Sequence, residues 1–515
     1  MNLSILTKFF VAAVLCVNSG IDVLAKPPHL PVLEQGGSTS FAKLQDTLKI
    51  AEAFSDNMVL QREKPVTIWG RAAAGQTIMV QFAGQQKTTV ADVAGKWEVV
   101  LAPLQASSTP QNLTVQSTST LTLKNILVGD VWLCSGQSNM EYPLDRKLKK
   151  YTAPKKGIDE AEQELTTPKP DGIRYLYVEK NLNKIPVLPT KGWTDGNDTL
   201  VRYISAIGYF FAKDIYEKTK VPIGIISSSW GGTRIEQWQP DWSYAQSEIF
   251  KDSAITPNFK IDGMHPGQMY RGLIEPLIPF TIKGVLWYQG ESNAMVEDQK
   301  TYPAKFELFV NTWRKLFKDN DLPFYYVQVA PHLYTSRKDA KKHSATLLPE
   351  FWEAQTKCLS IKNTGMVVTT DLVDELSNIH PSYKWTVGRR LALWALEKDY
   401  HIEQKEISGP VYAGMRKNRE SIFISFSHHG TKLMSNNGSD TLSCFEIAGR
   451  DGKFVPAKAT TDGDIVIVYA DGLKKPKYVR FAWNETAQPN LVNSEGLPAV
   501  PFRTDRFDEE YFLSK

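Results

Sequence analysis

Residues 129–143 read "GDVWLCSGQSNMEYP". An apolar run beginning at Val131 stops at Ser-Gly-Gln-Ser-Asn-Met, the pattern of a strand giving way to a polar turn. Whether Ser138 in that turn is a nucleophile or an ordinary turn former depends on what surrounds it. Outward from this stretch the chain keeps one rhythm. "VPIGIISSSW", "KGVLWYQ", "PFYYVQVAP" and "TGMVVTTDL" read as strands. Elsewhere in the same region apolar residues recur at helical spacing: Phe306, Phe309, Trp313 and Phe317; Val387, Leu391 and Trp394; Ile204, Ile207, Phe211 and Ile215. Strands alternating with amphipathic helices imply a parallel sheet covered on both faces.

This α/β region is expected over 129–405, with the Lys/Pro-rich stretch 144–190 as a surface insertion. Before it, from 48 to 128, short β-type runs ("VTIWG", "TIMVQFAG", "WEVVL", "NLTVQS", "LTLKN") are split by Gly and polar turns, as in a small β-sandwich. After it, from 406 to 515, "SIFISFS", "DIVIVYA" and "KYVRFAW" mark a second all-β module. Residues 26–47 read as a linker. Residues 1–25 read as a signal peptide: Lys8, an apolar run too short to span a bilayer, and small residues before a cleavage point at Ala25. No later segment reads as a membrane span, so the protein is expected to be exported, to the periplasm or the extracellular space. A lipid anchor through Cys16 is the weaker alternative, because bulky Leu15 stands where a small residue belongs.

The whole chain has 515 residues, enough for several domains, with 42% apolar and 23% charged residues, the balance of a folded protein. Sixty Lys+Arg against 56 Asp+Glu leave +4, and with no long basic run this argues against nucleic-acid binding. Beyond the leader, Cys134, Cys358 and Cys444 supply neither a disulfide framework nor a CxxC metal pair.

Open α/β sheets bind ligands beyond the carboxyl ends of their strands, so the residues that follow each strand carry the functional reading. After "VGDVWLC" comes "SGQSNM"; after "IGIISSSW", "GGTRIEQW"; after "GVLWY", "QGESN"; after "MVVTTDL" and a short loop, "NIHPSYK". Each alone is an ordinary turn or cap. Together they offer Ser138, Gly231 and Gly232, Gln289 with Asn293, and His380: a nucleophile, oxyanion donors and a base. Met140 stands where the G-x-S-x-G elbow needs its second glycine, which argues against an α/β-hydrolase. No HExxH motif or His/carboxylate cluster supports metal chemistry, so no metal is expected.

"GDVWLCSGQSNMEYPL", "SSWGGTRIEQW", "KGVLWYQGESNA" and "IHPSYKWTVGRRLA" resemble, in order, four blocks of the sialate O-acetylesterases, a branch of the SGNH (GDSL-like) hydrolases. "FSDNMVLQREKPVTIWG" and "CFEIAGRDGKFVPAKA" are similar to that family's flanking β regions. The resemblance implies a three-layer α/β/α SGNH-type catalytic domain flanked by N- and C-terminal all-β modules. It also implies cofactor-free removal of acetyl groups from carbohydrate hydroxyls, typically O-9 of sialic acid. By position it makes Ser138 the nucleophile and His380 the base. Oxyanion donors would be the Ser138 N–H, an N–H of Gly231 or Gly232, and a side-chain amide of Gln289 or Asn293, with Gln289 preferred. The family often places an Asp two or three residues before the His, where this chain has Asn378 and Ser377. The group that orients His380 is therefore open: a backbone carbonyl near Asn378, giving a Ser–His dyad, or Asp374 or Asp371. A sialic acid carboxylate favours an arginine near the pocket, and Arg234 is the candidate. The rival readings are an acetylesterase on plant polysaccharide such as acetylated xylan, and a non-catalytic glycan-binding protein.

Overall fold

The structure, a computed structural model, describes residues 48–180, 188–197, 199–337 and 342–505; the leader and linker expected before Leu48 lie outside them. The central element is a 17-residue strand, β1 (Thr120–Gly136). Its first half, "TLTLKN", alternates exposed and half-buried residues and pairs antiparallel with Ser107–Gln116. From Leu127 onward every residue is buried. This one strand therefore runs from an antiparallel sheet into the middle of a parallel one, and position 128/129 falls inside it.

β1 is joined by β2 (Ile173–Val178), β3 (Thr190–Thr194), β4 (Ile223–Ser229), β5 (Gly284–Tyr288), β6 (Phe324–Val327) and β7 (Thr364–Val367) in the order β3-β2-β4-β1-β5-β6-β7. The pairs are parallel apart from β3 with β2. The stretch 144–190, expected on composition to be a surface insertion, thus supplies an interior strand. Its "IRYLYV" run is five-sixths buried, and burial of this kind outweighs the Lys/Pro-rich flanks.

Successive side chains of a strand point to opposite faces, and here each face has its own core. Val131, Leu133, Val285, Trp287, Phe324 and Tyr326 pack with Phe306, Phe309 and Trp313 of helix α2 (Tyr302–Leu316) and with Phe351 and Trp352 of helix α3 (Leu347–Lys357). Trp132, Cys134, Leu286, Tyr288, Tyr325 and Val327 pack with Ile207 and Phe211 of helix α1 (Ala206–Thr219) and with Leu391 and Trp394 of helix α4 (Lys384–Lys398). Helices α1 and α4 touch closely: a Cβ on Gly388 would stand 2.6 Å from the Ile207 carbonyl oxygen.

The β-strands before β1 share the α2/α3-side core, through Val66, Ile68, Val80, Trp97 and Val99. The strands after residue 410 form antiparallel sheets around a separate core of Ile422, Ile424, Ile447, Val466, Val468, Val479 and Phe481. The fold is thus mixed α/β, with one large sheet and additional β-sheets. Among the described residues no helix is long and apolar enough to cross a membrane.

Candidate active site

Register brings three of the four polar segments together. Gly136 lies opposite Ser229 on one side and Tyr288 on the other, so the turns after β1, β4 and β5 leave the sheet at one level. Gly136 has φ 137°, and a Cβ there would meet the Tyr288 carbonyl oxygen at 2.2 Å; only glycine fits this backbone. The turn is tied to its neighbour. The Gln137 N–H donates to the Tyr288 carbonyl at 2.9 Å. Its side-chain Oε1 accepts from the Gly290 and Ser292 N–H groups at 3.3 Å each.

Ser138, half-buried at the head of this turn, meets His380 from the loop before α4: Ser138 Oγ lies 2.8 Å from His380 Nε2. For Nε2 to accept the serine proton, Nδ1 must carry the ring hydrogen. The loop is held by main-chain contacts. The His380 N–H donates to Asn378 Oδ1 at 2.9 Å, and Asn139 Nδ2 donates to the Ile379 carbonyl at 3.0 Å. Tyr151 packs on the imidazole with centroids 4.7 Å apart.

Neither candidate carboxylate reaches the ring. Asp374 accepts from the Lys155 N–H at 2.8 Å and the Tyr383 hydroxyl at 2.7 Å. Asp371 is held in a two-pronged pair by Arg390, at 2.8 and 2.6 Å. Asn378 serves through its side chain, not through a carbonyl on the ring. Burial first, then the Lys384 ammonium and His332, bring His380 from 6.5 down to about 4, so its imidazole is neutral at neutral pH.

The source of that field is a buried network the motifs contained but the sequence reading passed over. Asn139 Nδ2 also donates to Glu291 Oε1 at 2.5 Å, and Lys384 Nζ donates to Asn139 Oδ1 at 2.7 Å. Lys384 lies over the rings of Tyr142 and Tyr288, at 4.9 and 5.5 Å from their centroids. Burial pushes the Glu291 carboxyl up and the Lys384 ammonium down to about 7. Asn139 and Glu291 stand one residue from Ser138 and two from Gln289; the signal was a polar residue inside each block with no assigned role.

The expected oxyanion donors divide. Gly231 packs against Ser138: a Cβ on it would stand 3.1 Å from Ser138 Cβ and 3.2 Å from Glu141 Oε2. Its N–H, however, donates to Glu141 Oε2 at 2.6 Å. Gln289 is fully buried, with Nε2 donating to Asn293 Oδ1 (2.7 Å), the Thr233 carbonyl (3.1 Å) and Gln137 Oε1 (3.2 Å). Asn293 Nδ2 donates to Asp298 (2.6 Å) and Glu236 (3.2 Å). Both amides are engaged by buried acceptors. The Ser138 and Gly232 N–H groups make no hydrogen bond within the described residues.

Arg234 is also turned inward. It is 6% exposed, donates to the Asp262 carbonyl at 2.9 Å and pairs with Glu236. Glu236, Asp262 and Asp298 bring carboxylate oxygens to within 4.8 Å of one another, a spacing a metal ion would accept. Lys305 already meets all three, at 2.8, 2.5 and 2.7 Å, with a fully buried side chain. Its ammonium stands among the three carboxylates, and the Arg234 guanidinium pairs with Glu236 as well, so these residues do not fit a metal as they stand.

Comparison with known proteins places the chemistry. Residues 128–397 match the family model described as carbohydrate esterase, sialic acid-specific acetylesterase. Human sialate O-acetylesterase is 29% identical over 88% of this chain and 92% of its own length. The mouse protein of the same name is 28% identical over 88% and 94%. Among solved structures, a carbohydrate acetylesterase from Xanthomonas citri is 33% identical, with a TM-score of 0.77, over 89% of this chain and 100% of that one.

Proposed function

This chain belongs to the sialic acid-specific acetylesterase family of carbohydrate esterases, which makes it a carboxylic ester hydrolase acting on acetyl esters, and from that premise we propose that it removes O-acetyl groups, typically at O-9, from sialic acids through an acetyl-serine intermediate. Ser138 is the nucleophile and His380 the base, working as a dyad. The catalytic region is of the three-layer SGNH type within 129–405, flanked by β modules at 48–128 and 406–515. It acts on O-acetylated carbohydrate after export to the periplasm or the extracellular space. The observation that carries this reading is the 2.8 Å contact between Ser138 Oγ, after β1, and His380 Nε2, after β7, beyond the carboxyl ends of the parallel strands.

The steps follow from the geometry. His380 Nε2 takes the Ser138 proton as Oγ attacks the acetyl carbonyl carbon. The Ser138 and Gly232 N–H groups, which are unspent, receive the developing oxyanion; each such donor lowers a barrier by about 3–4 kcal/mol. His380 returns the proton to the departing sugar hydroxyl. A water molecule, deprotonated by the same nitrogen, then attacks the acetyl-serine; the bond to Oγ breaks, Nε2 returns the proton to Ser138 Oγ, and acetate leaves. Because the imidazole sits near a buried ammonium, its cation is short-lived, which favours prompt return of the proton.

Acetate release from O-acetylated sialic acid and from acetylated xylan, compared with the hydrolysis of an aryl acetate, tests the reading. Ser138→Ala should abolish all turnover in a folded protein. Turnover of xylan but not of sialic acid would move the substrate to plant polysaccharide. No turnover of the aryl ester by the wild type would leave a glycan-binding protein.

A further inference from the structure

With Arg234 buried, a carboxylate-bearing sugar needs another cation, and the structure holds two beside the nucleophile. Glu141, three residues after Ser138, is 8% exposed and accepts at one oxygen from both Lys149 Nζ and Lys180 Nζ, each at 2.8 Å. Its other oxygen takes the Gly231 N–H. The point occupied by a Cβ on Gly231 is within 3.2 Å of both Ser138 Cβ and Glu141 Oε2, so the carboxylate that gathers the two ammonium groups lies beside Ser138. Burial works against the charge of Glu141, but the two lysines overcome it and hold its carboxyl below the ordinary range.

One carboxylate cannot neutralise two ammonium groups. Neither lysine has another ion-pair partner among the described residues, and their side chains are 41% and 34% exposed. Each ammonium has three N–H donors, and only one of each is spent. Lys180 also lies 5.1 Å from the centroid of the Trp230 indole, which holds the ammonium over a half-buried aromatic face. Together they form a cationic, donor-rich rim with an aromatic wall.

We propose that Lys149 and Lys180 receive the carboxylate of the acetylated sugar and make this enzyme selective for anionic over neutral substrates. The assignment rests on the acetylesterase reading above and adds the residues that set its substrate class. Glu141 keeps the two lysines together and fixes the Gly231 peptide; the substrate carboxylate completes the charge balance with the donors left over. Binding of this kind acts on the ground state as much as on the transition state, so its loss appears in KM.

The test compares O-acetylated sialic acid with its carboxyl methyl ester, which keeps the acetyl group and removes the charge. The wild type should favour the free acid at least tenfold in kcat/KM. In Lys149→Gln/Lys180→Gln that ratio should fall to near unity through a higher KM for the free acid, while Lys149→Arg/Lys180→Arg retains it. Added salt should weaken the wild-type preference, since part of it is a partly exposed charge interaction. A wild type that hydrolyses both compounds equally, or a glutamine variant that keeps the preference, overturns the assignment and leaves the esterase reading standing. No acetate from either compound overturns both. If the glutamine variant is too damaged to turn over either substrate, the arginine variant decides: a retained preference supports the assignment and a lost one overturns it.

Discussion

Replacing Asp374 by asparagine separates two ways of supporting His380. If Asp374 were the acid of a Ser-His-Asp triad, the change would cost about 10⁴ in kcat, because the imidazole would lose the partner that fixes its tautomer. In the structure both Asp374 oxygens are committed elsewhere, to the Lys155 N–H and the Tyr383 hydroxyl, and the residue is only half-buried. Asparagine keeps one acceptor oxygen for the Lys155 N–H and turns the other into an amide that can no longer accept from the Tyr383 hydroxyl. The loss is therefore one hydrogen bond to a charged group, about 1.5–3 kcal/mol at most before the discount for exposure. That loss falls on the clasp between residues 151–156 and the histidine loop. Some of it appears as a lower melting temperature, and the remainder as a drop in kcat of about tenfold or less. Aryl-acetate kcat measured alongside thermal unfolding reads both quantities. A fall of a thousandfold or more with a normal melting curve would refute the dyad and restore Asp374 to the reaction.

The pH profile and the acidic cluster give two further expectations. His380 must be neutral to act, and its value is lowered to about 4, so kcat/KM should be flat above pH 5 and fall only as the pH drops through about 4. Lys384→Met removes the ammonium that burial alone does not replace, raises the His380 value, and should move the acid limb toward neutral pH; a limb that stays in place would show that Lys384 does not act on the base. Lys305→Met leaves Glu236 and Asp298 buried without their cation, a loss of about 3–5 kcal/mol, which denaturant unfolding would register as a clearly lower midpoint; an unchanged midpoint would contradict the ion-pair role.

What could be read from the sequence, and what could not, follows from the range of the forces involved. Ser138, Gly231 and His380 were legible because a strand that ends in a polar turn delivers it to a fixed edge of the sheet, and parallel register does the rest. The side-chain directions of Gln289, Asn293 and Arg234 were not. They are decided by Gln137, 152 residues from Gln289, by Glu236, 57 from Asn293, and by Asp262, 28 from Arg234, which become neighbours only in the fold. The interior strand Ile173–Val178 was obscured by its surroundings: Lys and Pro on either side outweighed a short apolar run in a reading based on composition. Lys384 was hidden in a helix start that reads as ordinary surface, since nothing local says that Tyr142, Tyr288 and Asn139 will enclose it.

The central claim is that the acetyl group passes through Ser138. Mixing the enzyme with an aryl acetate, quenching in acid within the first turnover, and mapping the digest by mass spectrometry tests it directly. The account predicts one acetyl group on the peptide containing Ser138 and a release of the aryl product faster than that of acetate, with both signals gone in Ser138→Ala. An acetyl group on any other residue, or full turnover by the alanine variant, would contradict it.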